Sequence, residues 1–369
     1  GLSLVLKRMN IPAIPAQLVR EVLDPMGVAA VKPLPPGMSG ARVFRLGLRT
    51  GELRVLKRWP PDTSLDRVAE VDRIVTHSRE RGCALTPQLF PIIPARSGDP
   101  ESSGETMESA HSTVGPTHRL ISNACWQVMQ WMPGQPLQET ADLESIERGA
   151  AAIAEFHRSV ADLGSSTEPA AAIGTRLRRA AELKPLVAQL MAMGPSAVLE
   201  VTDPQLEAAL FQARQLVIWK WDEVANTITR SLNRYVGEPL YNQFVLRDVH
   251  RENALFVEGL PMGLIDFDAV RIDTPWTDLA RWAGSFLGGP HPSEQVWEAS
   301  MAGFSRNHPL NEGPEMEFGG RLARDLSFAT NWIGLTNWLV WLVLEKRSFA
   351  TSARTIASRI EGLRRSAVS

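Results

Sequence analysis

At Pro133-Gly134 the hydrophobic period of the sequence changes, and that change restricts the fold more than any other single feature. Upstream, short runs such as ARVFRLGL and LRVLKRW alternate apolar and polar residues between turn residues, the pattern of half-buried strands. Downstream, apolar positions recur every three or four residues. In residues 204–232, Leu206, Leu210, Val217, Trp221, Val224, Ile228 and Leu232 make one buried helical stripe. A chain of 369 residues has room for two cores. The expected class is α+β and bilobed, a β-rich N-lobe with one main helix followed by a mostly helical C-lobe.

On this reading, residues 1–30 form an N-terminal helical extension around AQLVREVL, 31–132 the N-lobe and 133–369 the C-lobe. The N-lobe opens with a glycine-bearing loop, PPGMSG, and a hairpin turned at RTGE. One amphipathic helix follows, started by Thr63 or Ser64 and stopped at Gly82. Between the strand-like pieces LTPQLFPII and CWQVMQWM, residues 95–118 are polar and lack apolar periodicity, which predicts a disordered insertion.

Lys and Arg number 39 against 41 Asp and Glu, a formal charge of −2 that offers no broad attraction to nucleic acid or anionic membrane. Small molecules are the expected partners. Cys83 and Cys125 lack metal-ligand spacing and are too few for a disulfide framework, as in a reducing cytoplasm. The opening LSLVL is too short for a signal-peptide core and runs into KRMN, so secretion is not expected. Residues 326–344 could span a bilayer by length, but Asn331 and Asn337 are costly in lipid, so a buried core helix is expected and no membrane span.

The stretch LRDVHRENALFVEGLPMGLIDFD, residues 246–268, carries more acid than a structural hairpin needs. ALFV and the run Met262 to Ile265 are equal arms joined by EGLP, which puts Asn253 and Asp266 opposite each other at the open end. Cross-strand Cβ atoms lie about 5 Å apart. An amide oxygen and a carboxylate so placed reach one hard cation, and Mg²⁺ suits such ligands. Asp248 precedes Asn253 by five positions, in the loop entering the hairpin. Asp266 ends an apolar run, where charge seldom stands without a partner. Asp268 reads equally as a second metal ligand or a turn residue, Asp278 as a helix-start residue, and His250 as a hydrogen-bonded loop histidine.

Asp248, Asn253 and Asp266 resemble the kinase arrangement of D-x-x-x-x-N followed by a D-F-G-like aspartate. DVHREN, with TDLAR at 277–281, is more similar to the aminoglycoside phosphotransferase and choline kinase-like family, whose signature reads H-x-D-x-H-x-x-N, then I-D-F, then D-L-A. His250 matches the second histidine, and Leu246 stands where the first belongs. The resemblance implies a protein-kinase-like fold that uses ATP and Mg²⁺ to phosphorylate a hydroxyl of a small-molecule acceptor. In that reading Asp248 is the base and Asn253 and Asp266 are the metal ligands. It further implies Ser39 in the phosphate loop, where Gly40 replaces an asparagine, and Lys57 as the phosphate-binding lysine oriented by Glu70. Gln130 and Met132 in VMQWMPG would hold adenine through main-chain groups, and His157 in IAEFH would be structural. The helices between His157 and Tyr241 are rich in Trp, Leu and Ala, which points away from a polycationic aminoglycoside as acceptor. Leu246 and the altered glycine loop motivate an alternative, a pseudokinase that binds nucleotide without significant turnover.

Overall fold

The computed structural model describes residues 14–92, 116–194, 203–308 and 314–369. The chain divides into two units, one formed by Gly1–Thr76 with Pro87–Trp131, the other by His77–Thr86 with Met132–Ser369.

In the first unit, α1 (Ala16–Leu18) continues as a wider helical turn, Val19–Leu23, and leads into an antiparallel sheet. The strands are β1 (Val28–Pro33), β2 (Arg42–Leu48), β3 (Leu53–Arg58), β4 (Leu89–Phe90), β5 (His118–Ile121) and β6 (Ala124–Gln130). They lie in the order β1-β2-β3-β6-β4, with β5 also paired to β6. Alternation drives this packing: Phe44, Leu46 and Leu48 of β2 are buried and the residues between them are not. Leu18, Val19, Val22 and Leu23 share one core with Val31, Phe44, Leu46, Trp126 and Val128. The N-terminal helix is therefore part of this core. β1 begins before residue 31, with Val28 opposite Leu48. In its Val-Ala-Ala-Val run two alanines dilute the strand preference of the valines, and pairing with β2 is what extends it. After β3 comes α2 (Leu65–Glu80), where Ser64 Oγ accepts from Arg67 N at 3.2 Å, a side-chain cap that satisfies an open N–H. Residues 95–115 of the expected insertion, and the LSLVL run, lie outside the described residues.

The second unit contains β7 (Gln135–Pro136), α3 (Leu143–Val160), β8 (Ser165–Glu168), α4 (Ala171–Ala192) and α5 (Pro204–Leu232). Then come β9 (Leu240–Val245), β10 (Ala254–Val257), β11 (Leu260–Leu264), β12 (Arg271–Asp273), α6 (Trp276–Gly284), α7 (Ser293–Asn307), α8 (Pro314–Leu339) and α9 (Ala353–Val368). Asp203 caps α5 by accepting from Gln205 N and Leu206 N, both at 2.9 Å, and Pro204 fits the first turn, where no N–H is needed. The predicted stripe of α5 is buried from Leu206 to Leu232. Residues 326–339 are the end of α8, and Asn337 Oδ1 accepts from Arg179 Nε and Nη2 at 2.9 and 2.7 Å. Among the described residues no helix is long and apolar enough to cross a membrane.

Two short ladders position the acid-rich stretch. β12 pairs with β9, Arg271 opposite Val245 and Asp273 opposite Gln243. β10 pairs with β11, Ala254 opposite Leu264. The loops 246–253 and 265–270 each run from one ladder to the other, so both are clamped at both ends.

Candidate active site

Asn253 ends the first loop and enters β10. Its N–H donates to His250 O at 2.8 Å, and its carbonyl accepts from Ile265 N at 2.9 Å. Asn253 is therefore opposite Ile265, and Asp266 falls one residue past it. The register expected from sequence, Asn253 against Asp266, is corrected by one position. The cause is the turn: Glu258 and Gly259, with φ of +48° and +74°, form a two-residue primed turn, and a bulge between Leu255 and Phe256 takes up the extra residue. Asp266 itself has φ +66°, a left-handed conformation that non-glycine residues rarely adopt. The Asn253 amide is oriented as well. Its Nδ2 donates to Asp248 O at 2.8 Å, which turns Oδ1 the other way. Asn253 and Asp266 thus bring an amide oxygen and a carboxylate to adjacent loops, one register position apart.

The loop bearing Asp248 is held by α6. Asp278, fully buried near the start of that helix, accepts from Leu246 N at 2.7 Å through Oδ2 and from Arg247 N at 2.6 Å through Oδ1. His157 Nε2, also fully buried, meets Oδ2 at 2.6 Å. Arg247 has φ +66°, and the bonded carboxylate keeps the chain in that turn. At the other end of the helix, Arg251 donates to Ser285 twice, from its N to Oγ at 3.1 Å and from Nη1 to the carbonyl at 2.6 Å. Asp278 is thus more than a helix-start residue.

Between these anchors Arg281 donates to Asp248 Oδ1. Partial desolvation of the Asp248 carboxyl pushes its pKa up, but the charge of Arg281, that of His250 once protonated in acid, the Arg281 hydrogen bond and Arg359 outweigh it and hold the group below its ordinary value. Desolvation, followed by Arg281, pulls His250 down to about 4, so its ring is neutral at pH 7. His250 Nδ1 accepts from Glu252 N at 3.3 Å, as expected of a loop histidine. Leu246 is buried, and its main chain carries the anchoring bond to Asp278.

In the first unit, Ser39 is exposed at the tip of the β1–β2 loop beside Gly40, whose φ is +79°. Lys57 on β3 is only 8% exposed, with its ammonium 4.1 Å from the Trp59 ring centroid. Glu70, expected to orient Lys57, accepts instead from Arg67 of its own helix at 2.5 Å. The acid of α2 that reaches the sheet is Asp72, which accepts from Gln127 Nε2 and from Thr117 Oγ1 and meets His118 Nδ1 at 2.8 Å. Gln127 is the cross-strand partner of Lys57, so Asp72 sits on the lysine's face of the sheet. The Gln130 N–H is taken by Gln88 O at 2.8 Å and is not available to a base. In the second unit, Met132 is buried and fills the space over Gly263, where an added Cβ would come 2.8 Å from the methionine Cβ.

Sequence reasoning missed Arg281 and Asp72. TDLAR and AEVDR contain them in plain view, but their partners lie 33 and 55 positions away, at Asp248 and Gln127.

Two of three comparisons with known proteins found matches. No curated protein sequence matches the chain. Among solved structures, an aminoglycoside phosphotransferase from Alicyclobacillus acidocaldarius is similar with a TM-score of 0.55 and 15% identity, covering 97% of this chain and 92% of that one. Spectinomycin phosphotransferase, solved with ADP and spectinomycin, has a TM-score of 0.58 and 10% identity, covering 96% and 98%. An amicoumacin kinase, solved with AMP-PNP and Ca²⁺, has a TM-score of 0.53 and 12% identity, covering 97% and 94%. At these identities the likeness concerns the fold, which is that of the kinase-like phosphotransferases. Residues 30–308 match the phosphotransferase enzyme family (APH), and over that span the chain belongs to it.

Proposed function

We infer that the protein transfers the γ-phosphoryl group of ATP to a hydroxyl of a small molecule, with Asp248 as the base. The observation that supports this reading is the placement of Asp248, Asn253 and Asp266 on two loops clamped by the same ladders, with Arg281 holding the Asp248 carboxyl below its ordinary pKa. The acceptor hydroxyl oxygen forms a bond to the γ-phosphorus, the bond from that phosphorus to the bridging oxygen breaks, ADP leaves, and the hydroxyl proton goes to Asp248. Asn253 Oδ1 and Asp266 would hold Mg²⁺, which fits two hard oxygens and takes its remaining ligands from water and phosphates. Bound there, the metal would neutralise phosphate charge. Lys57 and the loop at Ser39 supply positive charge and N–H groups for the phosphates. Asp72, on the Lys57 face and bonded to its cross-strand partner Gln127, would take the orienting role first given to Glu70.

The test is Asp248→Asn assayed for ATP-dependent phosphorylation of a metabolite extract by mass spectrometry, alongside Mg-ATP binding by calorimetry. Loss of a positioned base should lower kcat by about 10²- to 10⁴-fold. Nucleotide affinity should stay within about twofold, because this chemistry rests on positioning that nucleotide binding does not use. Unchanged turnover removes Asp248 from the role, and Mg-ATP binding by a wild type that phosphorylates nothing supports the pseudokinase reading.

A further inference from the structure

A set of arginines surrounds the Asp248 loop, and two of them keep hydrogen-bonding capacity. Arg176, on α4, donates from Nε to Thr330 Oγ1 at 2.8 Å and from Nη1 to Ala172 O at 3.1 Å. Both acceptors are neutral, and among the described residues its Nη2 makes no hydrogen bond. The Ala172 N–H donates to Asp273 Oδ1 at 3.2 Å, and Asp273 Oδ2 lies 3.7 Å from Arg247 Nε. That separation is an ion pair without a hydrogen bond. Arg247 makes no hydrogen bond through its guanidinium among the described residues, although it carries five donors and its side chain is 32% exposed. Arg247 directly precedes Asp248, which accepts from Arg281. One chain of contacts therefore joins Arg176, Asp273, Arg247, Asp248 and Arg281.

The charges in that chain do not balance. Asp248 answers Arg281, and Asp273 answers either Arg247 or Arg176 but not both. Asp273 is 1% exposed, and Thr274 N at 2.9 Å already shares its Oδ1. Arg359, a further cation beside the loop, donates to Glu252 at 3.2 Å, and Asp278, which accepts from the Arg247 N–H, is occupied by His157 as well. Burial pulls the Arg176 guanidinium down to about 10, Asp273 acts in the opposite sense, and the neighbouring Arg281 and Arg247 depress it further. Guanidinium forks with open donors match planar oxyanions.

We propose that Arg247 and Arg176 form an acceptor subsite for an anionic group, so that the molecule phosphorylated at Asp248 is a hydroxyl compound carrying a carboxylate or a phosphate. The assignment rests on Asp248 marking the position of the acceptor hydroxyl. A cationic acceptor would meet unanswered positive charge there, which excludes aminoglycosides for a reason that counting acids in the helices does not supply.

The experiment uses matched pairs that differ only in the anionic group: glycerate against glycerol, gluconate against glucose, and ribose 5-phosphate against ribose, with glucosamine as the cationic arm. Binding to the full chain is read by calorimetry without nucleotide, so the result does not depend on turnover. At least one anionic member should bind about tenfold or more tightly than its neutral parent, the size of one charge-assisted hydrogen bond. The carboxylate and phosphate arms separate the two sources of charge. Arg247→Gln and Arg176→Gln should each abolish that preference while Mg-ATP affinity stays unchanged, and Arg247, being partly exposed, is the variant less able to disturb folding. Equal binding within every pair, tighter binding of glucosamine, or a preference that survives both substitutions overturns the proposal. None of these outcomes alters the result of the Asp248→Asn assay.

Discussion

Asp278 is buried with both oxygens occupied, by His157 and by the N–H groups of Leu246 and Arg247. A carboxylate in this position stores its negative charge where main-chain dipoles and a histidine answer it, and the same bonds fix a loop in a left-handed turn. Three positions on, Arg281 acts on the side chain of that loop instead of its backbone. The two residues divide the work: one fixes where Asp248 sits, the other its charge. Arg281→Gln should therefore raise the Asp248 pKa, because burial then acts with less opposition. A depressed carboxyl stays ionised as the pH falls until its own pKa is reached, so the wild-type pH profile of kcat/KM should remain flat below the ordinary aspartate value near 3.9. The variant should show an acid limb displaced upward by about one to three pH units. An acid limb at the same pH in both proteins would show that Arg281 does not set the charge.

At the scale of elements, α6 acts as a splint: Asp278, Arg281 and Ser285 all engage residues 246–251. A splint works only if it is itself fixed. Trp282 of α6 is fully buried and donates from Nε1 to Ile146 O of α3 at 2.9 Å. The approach requires a glycine: a Cβ on Gly149 would lie 2.0 Å from Trp282 Cζ2, far inside contact distance. Gly149→Ala should cost about 1–3 kcal/mol or more by overpacking, despite the better helix propensity of alanine. Urea unfolding would measure it. A variant as stable as the wild type would mean that α3 and α6 are free to separate. The hairpin makes a similar point about register. Its two-residue turn at Glu258-Gly259 and its bulge together shift Asp266 by one position relative to Asn253, a shift that equal-length arms do not reveal.

For the whole molecule, two units hold the residues assigned to nucleotide and to chemistry, Ser39, Lys57 and Asp72 in one, Asp248, Asn253 and Asp266 in the other. A ligand that binds only the folded chain stabilises it by mass action, about 2.7 kcal/mol at a concentration 100 times its Kd. Mg-ATP should therefore raise the Tm by several degrees. ATP with EDTA should raise it less, and Asn253→Ala should remove most of the difference between the two, since it deletes one metal ligand. Equal shifts with and without Mg²⁺ in the wild type would exclude a metal held by Asn253 and Asp266.

Read alone, the sequence determined what local chemistry and period can determine. Alternation in β2, the three-to-four spacing in α5, the helix start at Thr63 or Ser64 and the order of Lys57, Asp248, Asn253 and Asp266 are all statements about neighbours along the chain. Tertiary structure decided which distant groups meet. It gave Glu70 to Arg67 and Asp72 to the lysine's face, made β1 a strand, moved the hairpin register by one, brought Arg281 to Asp248 and set Arg247 beside Asp273. The physical reason is range. A cap or a turn is settled by atoms a few bonds apart, whereas the charge on the Asp248 carboxylate depends on whichever arginine the packing of α6 brings to it, 33 residues along the chain.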